Sequence, residues 1–293
     1  MPGFRNVRDL VDAELTGATT GYSFRKVPAL TTGAGIWFDL SMSPGSPTPQ
    51  YYIGAQNAFS PLTYNTDVGL NVGQPVLPKY KFLRRATVIE VTGGLPMTMI
   101  LMDYVGFYGF IDEGVPLTTL TNVNRTASTR HFTDARGVCI MPVVVAQHSG
   151  ISLDTFYVTY TNSAGVQGRT SASVPLTTQI VNGTILSSTG RDSTRSINST
   201  PFIPLQEGDE GVQKIDSVVF PSATDYGLFA LVLVKPLATV VVRGVDAPTD
   251  VDFLKDFSLC PRLLDDAYLN WLVCPNGTLA ATPIFGLLET VAL

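Results

Sequence analysis

The chain has 293 residues, of which only 15% are charged and 45% are apolar, and its net charge is −5. Soluble domains average about 25% charged residues, so we expect other protein to cover part of this surface. The acidic balance argues against nucleic acid as the main partner, and the apolar runs stop well short of the ~20 residues that a membrane-spanning helix needs.

The N-terminal segment, residues 1–34, differs from the rest of the chain and is predicted to be an arm. It begins without the apolar core of a secretory signal, which predicts synthesis in a cytosol. Asn6 is a suitable cap for a short amphipathic helix over 7–15, and the polar run Thr16 to Gly21 reads as a flexible link. Four apolar residues have helical spacing: Val7, Leu10, Val11 and Leu15. The pattern fits either an arm that docks on a neighbouring subunit or a helix that closes one end of its own sandwich.

The sequence of residues 35–293 has the pattern of strands and turns that is typical of a β-protein. Short apolar runs alternate with Gly and Pro clusters, and long Pro/Gly-rich or polar loops are predicted at 41–50, 60–80 and 182–201. We expect the excursion over 41–80 to reach neighbouring subunits, with the adjacent aromatic residues Tyr51 and Tyr52 as contacts.

Two stretches share one layout. In "RRATVIEVTGGLPMTMILMDYV" an alternating strand leads through a double glycine, which predicts a tight hairpin, into an apolar strand typical of burial on both faces. In "KIDSVVFPSATDYGLFALVLV" a strand and a turn again lead into an apolar strand. Many short strands and few helical windows predict an all-β sandwich of jelly-roll or related type.

Residues capable of chemistry are scarce. The two histidines, His131 and His148, have no metal-ligand spacing, and the chain has none of the usual nucleophile or phosphate-loop motifs. We therefore predict no catalytic residue, no metal and no cofactor. Three carboxylate pairs admit a glycosidase only if two carboxyl groups flank a sugar about 5–9 Å apart. They are Asp112 with Glu113, Asp209 with Glu210, and Asp265 with Asp266.

Arginines are concentrated between residues 125 and 195. This group suits contacts to an acidic protein surface, for which Arg125, Arg130 and Arg136 are the candidates, or it consists of solvated loop residues. The three cysteines are Cys139, Cys260 and Cys274; the last two either pair under oxidation or stay half-buried thiols.

Exposed aromatic residues on β-sandwiches often bind sugars. The stretches "QYYIG" and "DYVGFYGF", with Tyr51 and Tyr108, are candidate platforms for a host glycan. Core or interface packing of the same aromatic residues is the competing interpretation.

Three stretches together resemble structural proteins of tailed-bacteriophage virions. They are "GGLPMTMILMDYVGFYGFID", "YVTYTNSAGVQGR" and "PLATVVVRGVDAPTDVDFLKDFSLCPRLLDDAYLNWLVCPNG", and they span most of residues 85–277 but leave the N-terminal 80 residues unmatched.

The resemblance implies an all-β virion subunit without cofactors that binds copies of itself, as a trimer or ring, and a major capsid or other virion protein. A decorating or cementing role on the capsid is our prediction, with a neck, tail or baseplate ring protein as the alternative. The chain shows neither the long spine helix of a major capsid protein nor the repeats of a tail fibre. A carbohydrate-binding β-sandwich is the alternative from another class of function.

Overall fold

A computed structural model describes residues 7–64, 69–70, 72, 76, 79–91, 93–146, 155–176, 181–188, 200–222, 227–257 and 260–292. Within these ranges the chain forms three antiparallel sheets and a short N-terminal helix, which confirms the predicted all-β, sandwich-like fold. The helices are α1 Val7–Leu15, α2 Val123–Ala127 and α3 Phe253–Phe257. The strands are β1 Thr19–Lys26, β2 Phe38–Asp39, β3 Gly45–Ser46, β4 Phe59–Pro61, β5 Lys81–Glu90, β6 Met97–Asp112, β7 Leu117–Thr119, β8 Cys139–Ala146, β9 Thr155–Asn162, β10 Arg169–Thr170, β11 Val174–Pro175, β12 Val212–Val219, β13 Leu228–Val242, β14 Thr249–Asp252, β15 Arg262–Leu263, β16 Leu269–Pro275 and β17 Ile284–Ala292.

The central sheet has the strand order β2-β16-β6-β13-β8, and β4 pairs with β6. The first outer sheet has the order β14-β5-β17-β1-β3, with β15 on β5. The second outer sheet has the order β10-β9-β12-β7, with β11 on β9. The two longest strands, β6 and β13, are neighbours in the central sheet and pair along almost their whole length.

Both outer sheets pack on the same face of the central sheet. Successive side chains of a strand point to opposite faces, and Met97, Met99 and Leu101 of β6 pack in a core with the first outer sheet. Val105 lies on the same face of β6, four residues after Leu101, and packs in a second core with the second outer sheet. Asp103 therefore lies between the two cores. The fold is two sandwiches that share one sheet.

The opposite face of the central sheet is covered by loops. Met102 and Phe107 of β6 pack there against Tyr52 and Leu62, which belong to the long excursion before β5. Fully burying such a side chain contributes about 1.5–3 kcal/mol, so this loop cover stabilises the sheet as a third core.

The predicted Gly93–Gly94 hairpin is wrong. Gly93 has the expected positive φ of 72°, yet β5 pairs with β17 in the first outer sheet, whereas β6 pairs with β13 and β16 in the central sheet. The buried backbone N–H and C=O groups of β6 need partners on both edges, and β13 and β16, far along the chain, supply them. The related pair β12 and β13 makes the same crossing, from the second outer sheet to the central sheet.

Helix α1 has the predicted bounds, but the flexible link after it is corrected. Thr19–Lys26 form β1, which pairs with β17 along all eight residues. The sequence of β1 shows no alternation of apolar and polar residues, because only Phe24 and Lys26 are buried on its inner face and one of them is a lysine. Residues 19–26 are therefore part of the sandwich. Loop 41–50 is fully described and contains β3, whereas 65–68, most of 71–78 and 189–199 lie outside the described residues.

Candidate functional site

Helix α1 presents apolar residues on two sides. Leu10 and Ala13 are buried against Val291 of β17, so the prediction of Leu10 as a contact for another subunit is corrected. Three further apolar residues, at i, i+4 and i+8, remain outside: Val7, Val11 and Leu15 are 71%, 45% and 80% exposed. Residues four apart lie one above the other on a helix, so these three form one continuous strip, the α1 stripe.

The predicted contacts Tyr51 and Tyr52 point in opposite directions. Tyr51 is 50% exposed and lines a cavity of about 190 Å³ with Leu30 and Phe38. Tyr52 has a positive φ of 54° and is buried against Phe107. The prediction of Tyr52 as a surface contact is therefore corrected. Its hydroxyl is used inside the protein, as a donor to Asp39.

Asp39 is the centre of a buried polar cluster. Its Oδ1 accepts a hydrogen bond from Tyr104 Oη at 2.6 Å, and its Oδ2 accepts from Ser41 Oγ at 2.7 Å and from Tyr52. Burial raises the pKa of this carboxyl, although the hydrogen bonds oppose the rise. The cluster connects β2 to β6 and to the loop that covers them, a structural task.

Lys26 is buried beside this cluster. Its Nζ donates to the carbonyl oxygens of Ser41 and Ser43 at 3.3 and 3.0 Å. Burial lowers the pKa of Lys26 to about 8, while the charge of Asp39 works in the other direction. A buried ammonium with two carbonyl partners ties β1 to the turn after β2.

Arg125 is fully buried, which corrects its prediction as an interface residue. Its Nε, Nη1 and Nη2 donate to the carbonyl oxygens of Gln213, Arg130 and His131 at 2.5, 2.9 and 2.7 Å. The guanidinium also lies 5.5 Å from the ring centre of Phe59. Burial lowers its pKa to about 10. Arg125 thus holds α2 to the turn that follows it and to β12.

Arg130 is also interior, so its prediction as a contact is corrected too. It donates to the backbone carbonyls of Leu62, Tyr104 and Asp266, and its Nη2 lies 3.5 Å from Asp103 Oδ1. Arginine suits such a place because its fork of N–H groups serves several carbonyls at once. Of the three arginines predicted as interface residues, only Arg136 is exposed. Its Nε lies 2.9 Å from Glu210 Oε2 on the surface.

Asp103 and His131 form a contact that the sequence did not indicate. The ring Nε2 of His131 lies 2.8 Å from Asp103 Oδ2, and the amide of Tyr268 donates to Asp103 Oδ1 at 3.1 Å. The residues come from β6, from the turn after α2 and from the segment before β16. The one unusual local feature of this contact is the positive φ of His131, 50°. A positive φ at a histidine cannot be read from a sequence, so sequence reasoning had no signal for this contact.

The carboxylate pair Asp209 and Glu210 is divided between two environments. Asp209 accepts hydrogen bonds from Tyr160, Asn162 and Arg169 at 2.6, 2.6 and 2.9 Å, whereas Glu210 is exposed beside Arg136. Burial acts to raise the pKa of Asp209, but these three donors outweigh it and lower the pKa.

The other two carboxylate pairs also have structural contacts. Asp112 Oδ1 accepts from the amide of Gly114 at 2.8 Å and so stabilises a turn. Asp265 lies beside Lys81, with 3.9 Å between Oδ1 and Nζ, and Asp266 gives its backbone carbonyl to Arg130.

Thiols and metal ligands are dispersed. Cys260 is buried, Cys139 and Cys274 are half-buried, and all three are free thiols. Burial raises the pKa of each thiol, that of Cys139 to about 11, which disfavours the nucleophilic thiolate. His148 lies outside the described residues; among those described, three or more His, Cys, Asp or Glu side chains do not come together in a metal-binding group.

The aromatic platform predicted around Tyr108 is interior. Tyr108 is buried, and its hydroxyl donates to Asn122 Oδ1 at 2.6 Å and accepts from the amide of Ile215 at 3.1 Å. Its ring packs against Phe59 in the second core. The prediction of Tyr108 as a sugar contact is therefore corrected, and Tyr51 is left as the exposed member of the two platforms.

No family model, no curated protein and no solved structure matches this chain. Within the described ranges, each helix is too short or too polar to cross a membrane.

Proposed function

We propose that this protein is a non-enzymatic structural subunit of a bacteriophage particle, which decorates or cements the capsid through protein–protein contacts. A ring subunit at the neck, tail or baseplate is the alternative position in the same particle. The observation that carries the protein–protein contact in this proposal is the α1 stripe, because Val11 and Leu15 stay exposed although the same helix already buries Leu10 on its own sheet.

The energetics of the stripe favour a protein partner. Moving one Val or Leu side chain from water into an interface contributes about 1.5–3 kcal/mol. Three such residues in one strip are a small hydrophobic centre of the kind around which interfaces are built, and a chain with 15% charged residues offers little charge to oppose contact.

The buried ionisable groups support a structural role. Asp39, Arg125 and Arg130 are interior and are used to connect strands and loops, through bonds to tyrosine hydroxyls or backbone carbonyls. Asp209 is committed to three donors. The assignment to a phage particle, and to copies of the same chain and a major capsid protein as partners, comes from the sequence resemblance alone.

The test compares Val11→Gln/Leu15→Gln with Val123→Gln. Glutamine is a good helix former, so the double variant keeps α1 while removing two of the three apolar residues of the stripe. Val123 is 71% exposed on α2 and serves as the control for loss of an exposed apolar residue. Substitutions are preferable to deletion of residues 1–20, because that deletion removes the first residues of β1.

Light scattering should give the mass of a trimer or ring for the wild-type protein and for Val123→Gln, and both should sediment with phage capsid shells that lack the protein. The double variant should keep its circular dichroism spectrum but lose assembly and shell binding. A wild-type monomer that does not bind shells would refute the proposal, as would a double variant that assembles normally.

A further inference from the structure

Two adjoining cavities open between the turn after α2, β15 and the segment that follows β15. They measure about 340 and 300 Å³ and share the wall formed by Thr129, Arg262, Leu263 and Leu264. The larger cavity is lined by Asp103 of β6 and by Lys235 of β13, which is its partner across the sheet. We call the two cavities together the junction cleft. It uses none of the residues of the α1 stripe.

The smaller cavity has more positive than negative charge. Four cationic side chains line it, whereas the carboxylates in its wall are Asp265 and Asp266. The cations are Lys79, Lys81, Arg130 and Arg262. Lys81 and Arg130 are buried at its inner side, and Lys79 and Arg262 are exposed at its mouth. Because Asp103 of the adjoining cavity lies 3.5 Å from Arg130, the four cations face three carboxylates, which leaves an excess of one positive charge on a chain of net charge −5.

The charges of the inner side are compensated in part, because Arg130 donates to three backbone carbonyls and its Nη2 lies 3.5 Å from Asp103 Oδ1. Lys81 Nζ lies 3.9 Å from Asp265 Oδ1, which is the outer limit of an ion pair. Burial lowers the pKa of Lys81 in spite of that carboxylate. The buried Nε of Arg130 has no hydrogen-bond partner within the part of the chain that the structure describes. A buried donor without a partner costs about 1–3 kcal/mol, which an oxyanion in the cavity would recover.

The mouth is arranged to hold an anion. The guanidinium of Arg262 lies 3.8 Å from the ring centre of Tyr80, a cation–π contact that positions it at the mouth. Neither Arg262 nor Lys79 forms an ion pair with a carboxylate of the described residues. Arginine and lysine are the side chains that proteins use most often to bind phosphate oxygens.

We propose that the junction cleft binds a phosphate-type oxyanion in its smaller cavity. Arg262 and Lys79 contact the anion at the mouth, and Lys81 and Arg130 supply positive charge from behind. The negative charge of the phosphate offsets the positive charge in excess at the cavity. The volume of about 300 Å³ is at the small end of ligand pockets, and the larger cavity beside it has room for the rest of a phosphate ester.

The experiment measures binding of inorganic phosphate, glycerol 3-phosphate and acetate by calorimetry and thermal unfolding at constant ionic strength. Phosphate should bind saturably and raise Tm, and acetate should bind at least about tenfold more weakly, because a monoanion with two oxygens uses fewer donors. Tighter binding of glycerol 3-phosphate than of phosphate identifies an ester as the ligand, and equal binding identifies the free ion.

Three charge-neutralising variants locate the site. Arg262→Gln and Lys79→Gln change exposed residues, so both variants should fold, and each should raise Kd for phosphate at least about tenfold. Arg243→Gln is the matched control, because Arg243 is exposed and lines neither cavity. It should leave Kd unchanged. Absence of saturable binding, binding that survives both cleft substitutions, or equal weakening in Arg243→Gln would overturn the proposal.

Discussion

Replacing Arg125 by methionine should remove a large part of the stability of the second sandwich. Methionine keeps most of the buried side-chain volume but has no N–H group. The carbonyl oxygens of Gln213, Arg130 and His131 then lose donors that lie 2.5 to 2.9 Å away in the native protein. These carbonyls belong to β12 and to the turn after α2, so the substitution loosens the contact between them.

The size of the effect follows from two opposing terms. Each buried carbonyl left without a donor costs about 1–3 kcal/mol, so three cost roughly 3–9 kcal/mol. Against this, the pKa of Arg125 is lowered by burial from its ordinary 12.5 to about 10, and relief of that desolvation returns about 3 kcal/mol. We expect Arg125→Met to lower the free energy of unfolding by about 3 kcal/mol.

The assay is urea unfolding, followed by the fluorescence of the buried Trp271 and by circular dichroism. Arg136→Met is the control, since Arg136 is exposed and its ion pair with Glu210 should contribute less than about 1 kcal/mol. A loss below about 1 kcal/mol in Arg125→Met, or a loss equal to that of the control, would refute the account of the buried guanidinium.

Two further perturbations test other contacts. Burial holds the pKa of Lys26 at about 8, below its ordinary 10.5, so the unfolded chain binds more protons above pH 8 and stability should rise with pH, by up to about 1.4 kcal/mol per unit. The difference between wild type and Lys26→Met in urea unfolding from pH 8 to 9.5 isolates this slope, and a flat difference would contradict it. Gly286→Ala places a methyl group 2.0 Å from Thr87 O and should cost about 2–3 kcal/mol by thermal unfolding. Gly21→Ala, whose methyl meets only the flexible Leu287 side chain at 3.3 Å, should cost clearly less; equal losses would show that the β5–β17 contact is not the cause.

Local features of the sequence predicted the elements well. The i, i+3, i+4 pattern of Val7, Leu10 and Val11 predicted α1 with its observed bounds, and the continuous apolar run of β6 predicted a strand buried on both faces. These signals depend on residues within a few positions of one another, so they can be recognised without knowledge of the fold. The predicted sandwich class follows from the same signals.

The pairing of strands and the fate of polar side chains were not predictable in this way. Gly93 has the positive φ of a hairpin turn, but the turn connects two sheets, because β6 pairs with β13 and β16 whereas β5 pairs with β17. Arg125 and an exposed loop arginine look alike in a sequence. What distinguishes them is the carbonyl of Gln213, 88 residues away, and a single chain does not reveal that proximity.

The pairing of β1 with β17 has a consequence for the order of events during synthesis. Thr19 faces Val291, and β17 lies between β1 and β5 in its sheet. Until the ribosome has released β17, β1 and β5 have no strand to join them, and their edges are open to other nascent chains. The closing contact has a very long sequence separation, so this sheet should form late and slowly. Chaperone binding to nascent chains should therefore persist until β17 has emerged.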